Sequence, residues 1–504
     1  MAMGPAGQGP AGTDRMSQET VIIGAGPAGL AAALELSADG QDVTVIEKDH
    51  VVGGLARTVE YKGFRCDIGG HRFFTKSDYV DALWRQLLQD RFLRRPRLSR
   101  IYYDGKFFTY PLKVSNVLRN LGVARSASVV ASLIAAKCRR NNRDDTFQDW
   151  VSNRFGGKLF EMFFRTYTEK IWGMPCSELS ADWAAQRIQD LSAAKAILGA
   201  IGIGGKRSVA SLIEEFDYPR LGPGQMYQEM ADRAVAAGAR LLLNRRACQV
   251  RHTDGRVVAV ASQAVGPQAL FEPGPGSRRR AQAAGGRQEH PVGGACFSSM
   301  PLDELVLALD PPPPAEALGA AGRLSYRSII TVNLLIDRPE VVPDTWIYIH
   351  DPRVRAGRMQ FYGNWSPDMV PDPGKSVIGM EYFCTEGDQL WGMSDGELHD
   401  LAMGDLEAIG LADPRAVFDS FCARYAKAYP VYRREGYRED LMVIRRHLAT
   451  LANLYPVGRY GQFRYNNMDH SILTAHYSVL KMRGQDVDPW AVNVEEEHLE
   501  ERRR

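Results

Sequence analysis

The sequence predicts an α/β fold in which a dinucleotide-binding, Rossmann-like lobe carries a helical cap and a mixed-sheet substrate lobe. Three observations predict it. Residues 21–55 read as strand, glycine-rich turn, helix and strand. Residues 77–88, 114–140 and 147–167 repeat their apolar positions at helical spacing, as a cap over a cleft would. Residues 218–243 form a second strand-helix unit, and 322–339 read as a strand pair.

In the first unit, Val21, Ile22 and Ile23 are β-branched, as a buried parallel strand requires. Gly24-Ala25-Gly26-Pro27-Ala28-Gly29 then supplies GxGxxG. Gly24 allows the tight turn, Gly26 lets the backbone approach a pyrophosphate, and Gly29 lets the following helix pack on the strand. That helix turns its N-terminal N–H groups and dipole toward an anion. A second strand, 43–46, ends in Glu47, placed to accept from ribose hydroxyls, with Lys48 after it. A lone GxGxxG is weak, but here strand, helix, second strand and acid lie in register. The motif alone does not separate NAD from FAD.

The 504 residues can bury a core for two or three lobes. A formal charge of +2 argues against a nucleic-acid surface. The arginines at 278–280 read as a solvated face. Seven cysteines are scattered without a CxxC pair, which suits reduced thiols in a cytoplasmic protein and fits neither a disulfide framework nor a metal site. Residues 1–18 lack a signal peptide's apolar run and read as a disordered leader. No membrane span is expected, and the apolar run 128–136 reads as a core helix.

Val52-Gly53-Gly54-Leu55-Ala56-Arg57 follows the ribose acid. This segment resembles the flavoprotein superfamily of amine oxidases, protoporphyrinogen oxidases and UDP-galactopyranose mutases, in which it runs along FAD. The resemblance implies FAD as cofactor, with Gly53, Gly54, Leu55 and Arg57 joining Gly24 to Gly29, Glu47 and Lys48 in its site. His71, after Gly69-Gly70, resembles the mutase loop that faces the flavin; a lone histidine after a turn is as often structural.

The middle segment, Tyr167-Thr168-Glu169-Lys170-Ile171-Trp172-Gly173 through Gln186-Arg187-Ile188, resembles the mutase signature in which a tryptophan borders the nucleotide sugar and an arginine grips its diphosphate. Trp172 taken alone is the better bet for core, and Arg187 for surface. Arg327, in Tyr326-Arg327-Ser328, resembles the second diphosphate arginine of bacterial mutases, whereas Arg358 resembles that of fungal ones. The sequence does not choose between them. Tyr429-Pro430-Val431-Tyr432 and the run 458–471 resemble the segments that join substrate to FAD. They imply Tyr429 and Tyr465 as hydroxyl donors, Asn467 near the phosphate, and Gly458, Met468 and Asp469 against the flavin.

The expected organisation is a leader 1–18, FAD lobe 19–76, cap 77–215, FAD lobe 216–330 with a disordered insertion 263–291, substrate sheet 331–440, FAD lobe 441–485 and a charged tail 486–504. The resemblance implies a mutase-like isomerase in which reduced FAD attacks the anomeric carbon of a nucleotide sugar, with no net redox. Arg187 with Arg327 or Arg358, and Tyr429 with Tyr465, would hold the departing diphosphate, and His71 would control the flavin's surroundings. The alternative is an oxidoreductase that takes hydride from a small molecule. No second GxGxxG is present, so NAD(P)H or another reductant would dock transiently.

Overall fold

Strand Thr20–Ile23 lies at the centre of a five-stranded parallel sheet, between Cys296–Ser298 and Val43–Ile46, with Leu454–Pro456 and Arg240–Leu242 at the edges. The computed structural model describes residues 19–110, 114–138, 144–182, 215–266 and 286–493. Positions 1–18, Arg187, 267–285 of the expected insertion and 494–504 of the expected tail lie outside the described residues. Helix Pro27–Ala38 packs between helices Gly224–Ala236 and Met468–Met482, so the lobe draws on three separate stretches of chain. Gly24 adopts φ +97°, and a Cβ on Gly29 would sit 1.8 Å from the Gly24 carbonyl oxygen. Strand and helix therefore approach as closely as glycine permits.

The second layer is a seven-stranded sheet in the order Val417–Pro430, Tyr326–Ile336, Ser376–Cys384, Arg358–Phe361, Trp346–Ile349, Ser99–Tyr103 and Lys106–Thr109. Residues 322–339 do not form a strand pair. Tyr326–Ile336 is one strand of 11 residues, buried throughout, because nothing in it can turn. It also crosses the expected boundary at 330. Residues 99–109 fall within the expected cap 77–215, yet they form a hairpin whose strand Ser99–Tyr103 pairs in parallel with Trp346–Ile349. Such long-range pairing has no local signature.

A four-stranded sheet flanks the FAD lobe. Its Arg245–Thr253 and Arg256–Ala264 strands meet at Asp254 and Gly255, both with positive φ, as an Asp-Gly hairpin demands. The expected disordered insertion is wrong at both ends. Gln263 pairs with Arg287, and Arg287–Pro291 is a strand whose His290 ring nitrogen lies 2.7 Å from the Ser262 hydroxyl. The start of the expected tail is likewise ordered. Gln462 donates to the Pro489 carbonyl at 3.1 Å and Arg464 to the Val492 carbonyl at 2.8 Å, which fastens 489–492 to the 458–467 loop.

Helix Val114–Cys138 bends at Gly122 (φ 74°, ψ 170°). The stretch 128–136 is not a core helix, since only Val129 and Leu133 within it are buried. By length and composition Ser115–Cys138 could cross a membrane, although 22% of its apolar window is buried in the protein.

Candidate active site

A cavity of about 880 Å³ runs between the parallel sheet and the seven-stranded sheet. That size lies toward the upper end of small-molecule sites. At its floor are Gly24, Gly26, Pro27 and Ala28. A Cβ on Gly26 would meet only the Gly54 Cα, at 3.8 Å, so the space beside it is left by the protein rather than filled. Gly53 and Gly29 do not line the cavity. Gly53, at φ +98°, instead donates to the Ala25 carbonyl at 2.8 Å and ties the second glycine loop to the first.

Glu47 accepts from the Ala25 N–H at 2.7 Å and from the Asp49 N–H at 2.9 Å. Burial raises its carboxyl pKa against the pull of those two bonds. Lys48 and Leu55 border the same wall. Arg57 donates through Nε to the Gly54 carbonyl at 2.7 Å and through Nη2 to Asp49. Its buried Nη1 has no hydrogen-bond partner among the described residues.

The chain closes the cavity from the other side at 458–471. A Cβ on Gly458 (φ +76°) would lie 3.0 Å from the Ala28 Cβ, so this loop sits directly on the glycine-rich turn. Asn467 caps helix Met468–Met482 in a capping box with His470. Asn467, Met468 and Asp469 all border the cavity, which brings a helix N-terminus to it.

Facing this end, Arg358 and Glu381 are directly opposed across neighbouring strands. Arg358 donates through Nε at 2.7 Å to Glu381, whose side chain is wholly buried, and Gln360 donates to the other carboxylate oxygen at 2.7 Å. Burial opposes the Arg358 charge, but Glu381 together with Tyr167, Tyr429 and Tyr465 outweighs it and raises the guanidinium pKa. The Arg358 Nη2 lies 3.4 Å from the Tyr429 hydroxyl. Tyr429 and Tyr465 stack at 5.5 Å, and the Arg459 guanidinium lies 4.7 Å from the Tyr465 ring centre. Burial pushes the Tyr429 hydroxyl pKa up, with Tyr465 adding to it, so it stays protonated.

His71 borders the same space. Burial, then Arg459 and Arg358, lower its pKa to about 3, which leaves it neutral.

Two expected residues are elsewhere. Arg327 does not border the cavity. It donates to the Ile171 carbonyl at 2.9 Å and to Thr385, capping helix Thr166–Trp172 where a cation suits the dipole. The following Gly173 makes room, since a Cβ there would lie 2.5 Å from that guanidinium. Trp172 is buried behind Tyr429, its ring meeting that tyrosine edge-on at 6.5 Å. Arg187 lies outside the described residues.

Sequence reasoning missed Arg459, Glu381 and the pair Tyr167 and His350, which stack at 4.7 Å and border the cavity. Glu381 did carry a signal, as the single charge in the strand SVIGMEYFC.

Buried titratable groups around the site set a pH dependence. His71 and His350 both have pKa values lowered to about 3, chiefly by burial. Below pH ~6.5 the unfolded chain binds protons that these two rings refuse, so their stability contribution is complete above that pH and is lost as pH falls toward 3. Asp67 acts oppositely. Burial raises its pKa to about 7, although the Tyr218 and Thr58 hydroxyls donate to it at 2.5 and 2.9 Å. Between pH ~4 and 7 the native state then holds a proton the unfolded state has lost, and stability falls as pH rises. The advantage of Asp67→Asn over the parent in urea melts should therefore grow from pH 4 to 7 and level off above. A constant difference would show that Asp67 is ionised throughout.

A parallel sheet with a glycine-rich turn, an acid at the end of its second strand and a facing cleft is the arrangement of a dinucleotide-binding fold. The chain belongs to the family of flavin containing amine oxidoreductases, which matches residues 27–478. A solved structure of reduced UDP-galactopyranose mutase superposes with TM-score 0.78 at 20% identity, covering 96% of this chain and 99% of that one. Putrescine oxidase bound to putrescine gives 0.58 at 15%, covering 92% and 99%. These likenesses establish the fold. The protein named "Probable UDP-galactopyranose mutase" in Klebsiella pneumoniae is 27% identical over 173 residues, 33% of this chain and 44% of its own length. The chain thus matches under half the length of that relative.

FAD is the cofactor of this enzyme. The residues present fit it. The open space at Gly26 admits a pyrophosphate, the Glu47 carboxylate is oriented for ribose hydroxyls, and the unpartnered Arg57 Nη1 awaits an acceptor.

Proposed function

We propose that this flavoenzyme is a mutase-like isomerase of a nucleotide sugar. The observation that supports the reading is the group of Arg358, Arg459, Tyr429 and Tyr465 on one side of the cavity. An uncharged substrate has no use for two guanidinium groups and two protonated tyrosine hydroxyls together. A departing diphosphate does, because donors already oriented need no reorganisation as charge develops. Arg358, held rigidly by Glu381, presents its outer edge to the phosphates. Tyr429 and Tyr465 donate hydroxyl protons to them, and Asn467 at the helix N-terminus adds a polar partner. Neutral His71 keeps additional positive charge away from the ring system. FAD, when bound and reduced, supplies the electron-rich centre that such an isomerisation requires. Arg187 is retained as a second phosphate ligand from the resemblance alone.

The competing reading is oxidation of a small amine or C–H substrate. It draws on the apolar and aromatic wall formed by Phe147, Phe155, Leu159, Phe163 and Phe164.

Titration of FAD-loaded protein with UDP and UDP-sugars, oxidised and dithionite-reduced, separates the two. Tighter binding on reduction, followed by an isomerised sugar nucleotide, is expected. Silence toward every nucleoside diphosphate, with bleaching by an amine, would establish the oxidoreductase instead. Arg187→Ala should lose turnover while keeping its FAD, and undiminished turnover would remove Arg187 from the site.

A further inference from the structure

Helix Val114–Cys138 turns the wrong kind of face to solvent. Its 25 residues contain no aspartate or glutamate, while Arg119, Arg125 and Lys137 supply three cations, of which Arg125 pairs with Asp104 at 2.6 Å. From Val123 onward, one turn after another, the exposed arc carries Val123, Ala124, Ala127, Ala131, Ile134 and Ala135, and the other exposed residues there are Arg125, Ser128, Lys137 and Cys138. Val123 is 88% exposed and Ile134 48%, and in the first helical stretch Leu118 is 50% exposed. The opposite side carries Val129 and Leu133, which are buried, with Val117 and Leu121 buried in the first stretch. Helical spacing puts Arg125 and Lys137 on the two margins of the exposed strip. An ordinary surface helix is polar where it meets water. Here the outward strip is apolar, the margins are cationic, and nothing among the described residues covers the large side chains.

We propose that this face rests on the surface of an anionic lipid bilayer. An amphipathic helix with an apolar face and basic margins lies in the interface, its hydrocarbon side chains among the acyl chains and its cations at the headgroups. Charge selects the partner. Apolar area alone would serve a second copy of this chain equally well, but two copies would oppose their own arginines and lysines, whereas anionic headgroups neutralise them. The bend at Gly122 breaks the helix into two stretches, which suits lying along a surface better than crossing one. The helix packs on helices Phe147–Phe155 and Gly157–Phe160, whose Phe147, Phe155 and Leu159 border the cavity. The bilayer would therefore lie against the cap, close to the aromatic wall of the active site.

The test is flotation of the full-length, FAD-loaded protein with vesicles of phosphatidylcholine, alone or mixed with phosphatidylglycerol. Flotation with the mixed vesicles, weakened by salt and much lower with phosphatidylcholine alone, is expected. Leu118→Glu/Ile134→Glu should lower the bound fraction at least about tenfold. Arg119→Gln/Lys137→Gln should lower it about fivefold per charge removed. Both variants alter exposed positions, so FAD content and Tm should match the parent. Absence of flotation would overturn the proposal. So would a parent dimer that Leu118→Glu/Ile134→Glu turns into a monomer, since a second copy would then cover the face. A marked fall in Tm in that variant would overturn it too, because the face would then be packed within its own chain. None of these outcomes depends on the mutase reading.

Discussion

Gly29→Ala is expected to give a protein that holds less than about a tenth of the parent's FAD and melts at a clearly lower temperature. The added Cβ would sit 1.8 Å from the Gly24 oxygen, 3.0 Å from the Gly24 carbonyl carbon and 3.3 Å from the Ile22 side chain. Two of those three atoms are backbone and cannot swing aside. Helix Pro27–Ala38 must lift off the central strand, and overpacking of this kind costs about 1–3 kcal/mol or more. The phosphate-binding turn moves with it. Gly26→Ala is the matched control. Its φ of −81° is ordinary for any residue and its Cβ meets nothing closer than 3.8 Å, so the apoprotein should melt as the parent does. Yet that methyl occupies the space read as the pyrophosphate's, and FAD should be lost. Absorbance of bound flavin and the melting temperature of stripped protein decide the matter. Full FAD loading of Gly26→Ala would mean that the cofactor does not pass beside Gly26.

Arg358→Met is expected to destabilise the protein by about 3–5 kcal/mol, the typical result of removing one partner of a buried ion pair. Glu381 is left with 0% of its side chain exposed and with the hydrogen bond from Gln360. The loss measures the burial of a carboxylate whose cationic partner is gone. Arg358→Met/Glu381→Leu removes both charges and should recover most of the lost stability, because the desolvation penalty goes with them. It should not recover turnover if Arg358 holds the phosphates as proposed, since the cavity has lost that guanidinium. Urea melts, combined with turnover assays, test the pair. Equal stability of the single and double variants would mean that Glu381 finds another partner.

Much of the FAD lobe was legible because its rules are local. The β-branched strand, the glycine spacing and the terminal acid of 21–47 act over one supersecondary unit, and the Asp254-Gly255 turn declares its hairpin within two residues. The substrate sheet was less legible. Whether 99–109 joins a cap or the edge of a sheet depends on Trp346–Ile349, more than 200 positions later. The same distance problem hid Glu381. A single acid in an apolar strand announces that it has a partner, but only the register of neighbouring strands reveals that the partner is Arg358.

By itself, the sequence determined what a short stretch of backbone dictates: a tight glycine turn opening a helix at Gly24 to Gly29, a buried strand ending before Glu47, and an FAD lobe assembled from separated pieces. Only the tertiary structure showed that Arg358 borders the cavity and Arg327 does not. Both are arginines at the start of a strand, but one start lies at the C-terminus of a helix whose carbonyls need a cation, and the other opens onto the cavity. It also decided that helix Val114–Cys138 shows its apolar strip to solvent. Periodicity reports which residues share a face, and packing alone determines which face is covered.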